Sequence, residues 1–221
     1  MTIEFRAWKK TPRLNRDITV TEKIDGTNAC VIVEQHTFGH QAGGMGKEVL
    51  DVVFDPLEAL SPDRDLPCFE YHVGAQSSNR LITPGKDHFG FAQWVVDNAE
   101  ALVAVLGVGR HYGEWWGSGI QRGYGLPRGE RRFSLFDKRY AHLIDPFAVP
   151  VLPPGLDVVP VLYEGPFSQF EIDWALNTLR LDGSVAAPGF KNAEGVIVYH
   201  SASKQVYKAL IEGDDEPKGA A

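Results

Sequence analysis

Residues 22–28 read Glu22-Lys23-Ile24-Asp25-Gly26-Thr27-Asn28, a lysine and two carboxylates around a glycine. A lysine amine is a nucleophile only when neutral, and its reference pKa is about 10.4. A site that desolvates it or sets cations nearby shifts it toward that form. The stretch lies between two runs that alternate apolar and polar residues, 18–22 and 29–35. Alternation of this kind predicts strands, so Lys23 is expected at the mouth of a strand-turn-strand unit. An ordinary hairpin turn accounts for the same residues, because Asp-Gly is a common turn signal and a lysine beside it can be a solvated charge. The remaining chain decides between the two. It places Glu114 before Trp115-Trp116-Gly117, Glu194 before Gly195-Val196-Ile197-Val198, and Lys208 in the last strand-like run. Carboxylates and aromatics at strand ends are where a cleft gathers side chains.

The elements that must position these residues are mostly strands. Further strands are expected over 68–71, 110–117, 133–137, 158–163, 195–200 and 205–212. The clearest helix carries Phe91, Trp94, Val95, Asn98, Leu102, Val105 and Leu106 on one stripe, with Asp87 as cap and Gly107 as stop. A second follows Ser168, with Ile172, Ala175, Leu176 and Leu179 inward. Many strands with two helices indicate an α+β domain built on antiparallel sheets rather than a parallel βαβ fold. One domain is expected over 1–212, followed by an acidic tail, 213–221.

Two phosphate-loop look-alikes fail. At Gly46-Lys47 the first required glycine is Gln41, and Glu48 stands where a Ser or Thr would hold magnesium. The glycines of 117–125 miss the dinucleotide fingerprint by one residue.

An apolar share of 43% with 5 tryptophans in 221 residues describes a folded globule. The net charge of −7 does not suggest wholesale nucleic-acid binding, although Arg122, Arg128, Arg131, Arg132, Lys138 and Arg139 could form a local basic face. Cys30 and Cys68 lack paired spacing, which argues against a disulfide scaffold or structural zinc and for two buried thiols. No signal peptide or membrane-length apolar run is visible, so a soluble cytoplasmic protein is the default.

Taken in order, the motifs are Lys-x-Asp-Gly at Lys23, Ser-x-Asn-Arg ending at Arg80, Gly-Glu-Trp-x-Gly at Glu114, Phe-x-x-Phe-Asp from Phe133, Glu-Gly-Val-Ile at Glu194, and Lys208. This ordered set, running from about Ile18 to Lys208, resembles the covalent nucleotidyltransferase superfamily of ATP-dependent ligases and capping enzymes. Thr27-Asn28 after the glycine makes it most similar to RNA ligases of the phage and RNA-editing kind. The resemblance implies an adenylation domain of antiparallel sheets flanked by helices, with a nucleotide cleft between the sheets. It implies that Lys23 attacks the α-phosphate of ATP and carries AMP, which passes to a 5′-phosphate end before a 3′-hydroxyl seals the strand. It assigns Glu194 to magnesium or manganese, Glu114 to the ribose hydroxyls, Arg80 to sugar and substrate phosphate, and Phe133 to stacking on adenine. Glu22, Asp25, Gly26 and Asn28 complete the expected nucleotide contacts, and RNA ends, or DNA ends, are the expected partners. The family pattern Lys-x-Lys is reduced here to Lys208, with Lys204 an even offset of four away, about 13 Å along an ideal strand. Many relatives continue into an OB fold or helical module, so a minimal ligase or one completed by a partner is expected. A guanylyltransferase of the same superfamily, or a binding module without turnover, remains the alternative.

Overall fold

The computed structural model describes residues 3–37, 49–54, 69–87, 89–144 and 152–213. Cys68, the Gly46-Lys47 pair and the tail beyond 213 lie outside them. The chain forms two compact units, Met1–Lys23 with Pro160–Ala221, and Ile24–Val159.

The first unit is a four-stranded sheet under one helix. Strands β1 (Asp17–Lys23), β9 (Val161–Pro166), β10 (Gly195–His200) and β11 (Gln205–Leu210) lie in the order β11-β10-β1-β9, all antiparallel. Helix α3 (Gln169–Asp182) starts where the Ser168 hydroxyl accepts the Glu171 N–H, and stops at Gly183, whose φ of 88° suits glycine. Ile172, Ala175 and Leu179 from α3 pack on Ile18, Val20, Val196 and Val198 from β1 and β10. Burial alternates along β1, so Ile18, Val20 and Glu22 point inward while Thr19, Thr21 and Lys23 are half-buried on the opposite face.

The second unit is the larger sheet, ordered β3-β4-β2-β6-β7-β8 from β2 (Thr27–Thr37), β3 (Asp51–Phe54), β4 (Phe69–Ser77), β6 (Gly109–Gly117), β7 (Arg131–Leu135) and β8 (Leu156–Val158), with β5 (Leu81–Ile82) paired to β4. Its pairs are antiparallel except β7 with β8. Helices α1 (Phe91–Asp97) and α2 (Ala99–Leu106) cover one face through Phe91, Val95, Leu102 and Leu106. Cys30 is buried in this unit, and burial pushes its thiol pKa up to about 11.

Three expectations need correction. The single helix over 91–106 breaks at Asn98, whose side-chain amide donates to the Trp94 carbonyl at 2.8 Å while its backbone leaves helical geometry at φ −124°. A local side-chain bond of this kind competes with the helical ladder. The run 158–163 divides between β8 and β9, which belong to different sheets, at Pro160, which has no N–H for a ladder. Most important, β1 and β2 do not form a hairpin: β1 pairs with β9 and β10, β2 with β4 and β6. The Asp25-Gly26 turn therefore carries the chain from one sheet into the other. Among the described residues no helix is long and apolar enough to cross a membrane.

Candidate active site

In the four-stranded unit the ladder sets Lys23 directly opposite Gly195, one residue after Glu194. Across that pair the Lys23 Nζ reaches Glu194 Oε2 at 2.5 Å. Glycine at 195 is required on the other side of β10, where a Cβ would collide with the carbonyl oxygen of Ala209 on β11. The adjacent residue, Glu22, points to the other face and is 1% exposed. Its Oε2 accepts the backbone N–H groups of Val185 and Ala186 at 2.9 Å each, while Oε1 has no hydrogen-bond partner. Burial pushes the Glu22 pKa up, opposed by the Ser184 hydroxyl and by those two N–H groups.

Lys208 lies opposite Ile197, which in turn lies opposite Thr21. Cross-strand partners share a face and so do residues two apart, so Lys208 and Lys23 stand on the same side of the sheet. Ideal spacings put their Cα atoms roughly 12 Å apart. Lys204 precedes β11 in a turn, with a left-handed φ of 54°, so the strand-based offset does not apply to it.

In the other unit, the turn after Lys23 is clamped by β6 and the glycine-rich loop. The Gly26 N–H donates to Glu114 Oε1 at 3.0 Å, and the Asp25 N–H donates to the Tyr124 hydroxyl at 2.9 Å. Arg122 Nε donates to Asp25 Oδ2 at 3.1 Å. Glycine at 26 is required by close approach: a Cβ would lie 2.5 Å from the Trp115 carbonyl oxygen and 2.8 Å from Trp116 Cβ. Arg122 and Tyr124 were not among the expected site residues: Arg122 stood only in the mid-chain basic cluster, and the glycine density of 117–125 marks a tight loop without saying what it meets.

Asn28 and Arg80 come together on an open pocket of about 90 Å³, with Ser77, Asp87, Phe89 and Trp115 also on its wall. Residues 77–80 form the tight turn between β4 and β5, closed by the Ser77 N–H on the Arg80 carbonyl at 2.8 Å. Phe133 does not join this pocket. It is 0% exposed, with its ring among Phe91 and Trp94 and over Gly113, whose missing side chain makes room for it. Of the mid-chain cations, Arg122 pairs with Asp25, Arg132 with Glu130 and Arg139 with Asp137, while Arg128 is exposed. Arg131 donates to the carbonyls of Ser118 and Phe89.

A divalent cation would meet one carboxylate beside the lysine, Glu194. Among the described residues no three His, Cys, Asp or Glu side chains converge as metal ligands. A single carboxylate suits magnesium or manganese that keeps phosphate and water ligands, not an ion caged by protein alone.

The chain is similar in fold to an arginine-to-alanine variant of the Naegleria gruberi RNA ligase solved with ATP and Mn, at 16% identity and a TM-score of 0.51, covering 90% of this chain and 51% of that one. A lysine-to-alanine variant of that ligase, also with ATP and Mn, is matched at 15% identity and a TM-score of 0.49, over 89% and 50% of the two chains. The chain thus spans about half the length of the solved ligases it matches. No curated protein matches its sequence. The sequence profile described as RNA ligase matches residues 16–210, from the foot of β1 to the end of β11, and the chain accordingly belongs to the RNA ligase family.

Proposed function

We propose that this protein is an ATP-dependent RNA ligase that carries AMP on Lys23. The observation that supports this best is the pairing of Lys23 Nζ with Glu194 Oε2 at 2.5 Å across β1 and β10, in a chain of the RNA ligase family. A lysine half-buried against a motif carboxylate is placed, and a solvated hairpin lysine would not be.

In the first step the neutral Nζ attacks the α-phosphorus of ATP. A P–N bond forms as the bond to the bridging oxygen breaks, pyrophosphate leaves, and the amine proton passes to solvent. In the second, a 5′-phosphate oxygen attacks the same phosphorus, which frees Lys23 and builds a phosphoanhydride at the RNA end. In the third, a 3′-hydroxyl attacks the activated end and AMP departs. These steps are governed by positioning and by neutralising negative charge. Lys208, on the face of Lys23, is the cation this chain would bring toward the phosphates. Glu194 would hold magnesium or manganese, whose chemistry there is to neutralise the phosphate oxygens.

Glu22 bears on the choice of nucleotide. Its buried Oε1 lacks a donor, and the exocyclic amine of adenine would supply one, whereas the carbonyl of guanine at that position would not. Asn28 and Arg80, on the pocket of the larger sheet, are the proposed sugar and phosphate contacts. Asp25, Gly26 and Glu114 act through the shape of the turn that follows Lys23.

The test is the intact mass of the protein after incubation with ATP and magnesium or manganese. A gain of one AMP in wild type, absent in Lys23→Ala, is expected, as is sealing of RNA ends by the loaded protein. No gain in a folded protein across a range of pH and metal would overturn the reading. Labelling by GTP in preference to ATP would replace it with an RNA-capping guanylyltransferase.

A further inference from the structure

Segment 3–16 has a composition unlike the rest of the chain. It carries Arg6, Lys9, Lys10, Arg13 and Arg16 against the single carboxylate of Glu4, in a protein whose net charge is −7. Every residue in it is exposed, and among the described residues none of its five cations makes an ion pair. The mid-chain arginines, by contrast, are largely spent on Asp25, Glu130 and Asp137. Two aromatic rings stand among these cations, Phe5 at 92% and Trp8 at 94% exposure. Such rings are ordinarily buried, since each removes a large apolar area from water. Holding both in solvent makes sense if they have a flat partner.

Among the described residues the segment is tethered at its C-terminal end. His200 Nε2 donates to the Leu14 carbonyl at 2.8 Å, and its Nδ1 accepts the Ser203 N–H, which fixes the ring. The Phe167 N–H donates to the Arg16 carbonyl and the Ser201 N–H to that of Asp17. Residues 3–13 carry no regular structure beyond this anchor and can span at most roughly 35 Å when extended.

We propose that residues 3–13 form a binding arm for single-stranded RNA, in which Arg6, Lys9, Lys10 and Arg13 follow the phosphates while Phe5 and Trp8 stack on bases. Cations interleaved with exposed aromatics are what single-strand binding requires, because every base offers a π-face and every nucleotide a phosphate. That the strand is RNA rests on the ligase reading above; the arm itself is argued from charge and exposure. It would hold the strand that presents the end to be joined.

The test measures binding of a short 5′-phosphorylated single-stranded RNA, labelled with fluorescein at its 3′ end, to the full chain by anisotropy over a salt series. In the variant with Arg6→Gln, Lys9→Gln, Lys10→Gln and Arg13→Gln, the slope of log affinity against log salt should shrink by about 0.7 per lost phosphate contact. In the variant with Phe5→Ala and Trp8→Ala the slope should hold, while affinity falls at least about fivefold for each ring. Either variant matching wild type in both affinity and slope overturns the arm. So does retained RNA binding with a loss, in the charge variant, of sedimentation with phosphatidylserine vesicles, which would mark a membrane-surface segment. Because the segment is exposed and irregular, neither variant should disturb folding. Both should still form lysyl-AMP without RNA. Wild type that binds RNA through the arm but forms no adduct would sink the ligase reading and leave the arm standing.

Discussion

In the four-stranded unit, Glu194 meets a lysine ammonium and Glu22 is buried with one oxygen unpartnered. In the seven-stranded unit, Glu114 and Asp25 meet the backbone of a turn and an arginine. All four are motif carboxylates, yet Glu194 stands beside the lysine amine while Glu114 holds a backbone in shape. The difference teaches that motif carboxylates divide into those that act on a ligand and those that keep the lysine turn rigid. Substitutions should separate the two kinds.

The largest expected effect is Lys23→Arg. Arginine keeps a cation opposite Glu194 but is not a nucleophile at neutral pH, so adduct formation should vanish by mass measurement while unfolding in urea is nearly unchanged. Next, Glu194→Ala should slow adduct formation about 100-fold or more, the scale of losing one electrostatic contact to a reacting group. Its cost in unfolding free energy should stay below about 1 kcal/mol, because the pair is partly solvated. Glu114→Ala should show the reverse emphasis, costing about 1–3 kcal/mol in urea by leaving the Gly26 N–H without its acceptor. Equal unfolding costs for the two would erase the proposed division.

Gly26→Ala should cost about 1–3 kcal/mol of stability through overpacking against Trp115 and Trp116, with the loss tracking the seven-stranded unit.

The units should also differ in the sign of their pH dependence. Burial raises the Glu22 pKa, so its contribution is complete below the ordinary carboxylate range and is lost as pH rises through the folded value. Burial lowers the pKa of His111, which donates from Nε2 to the Gly107 carbonyl and accepts at Nδ1 from Tyr140, so its contribution is present above about 6.5 and lost as pH falls through the folded value. Denaturant melts over a pH series should therefore flatten on the alkaline side in Glu22→Gln and on the acid side in His111→Gln. The smallest effect belongs to Asp25→Asn, whose half-exposed pair with Arg122 should be worth about 1 kcal/mol or less.

Part of the strand inventory was legible because burial on one face of a sheet leaves a period of two, visible in β1 and β10, whereas β2 is buried on both faces from Ala29 to Val33 and reads as a continuous apolar run. The helix stop at Gly107 and the helix cap at Ser168 were legible too, since each residue type suits the chain's turn into or out of helical geometry there. Pairing was less so. Asp25-Gly26 carries the chemistry of a hairpin turn, and turn chemistry is local, whereas the partners of β1 and β2 lie more than a hundred and more than thirty residues away respectively. Phe133 shows the same limit in a side chain: its motif position suggests a stacking ring, but the glycine across the ladder at 113 opens a socket that buries it.

By itself, then, the sequence determined which residue types are available at Lys23, Glu194 and Lys208, and that strands carry them, because side-chain chemistry and strand periodicity are properties of neighbouring residues. Only the tertiary structure decided that Lys23 faces Glu194 across a ladder, that Glu22 turns away into the core, and that Arg122 and Tyr124 brace the turn. Those relations depend on register between distant strands, where a shift of one residue sends every side chain to the opposite face.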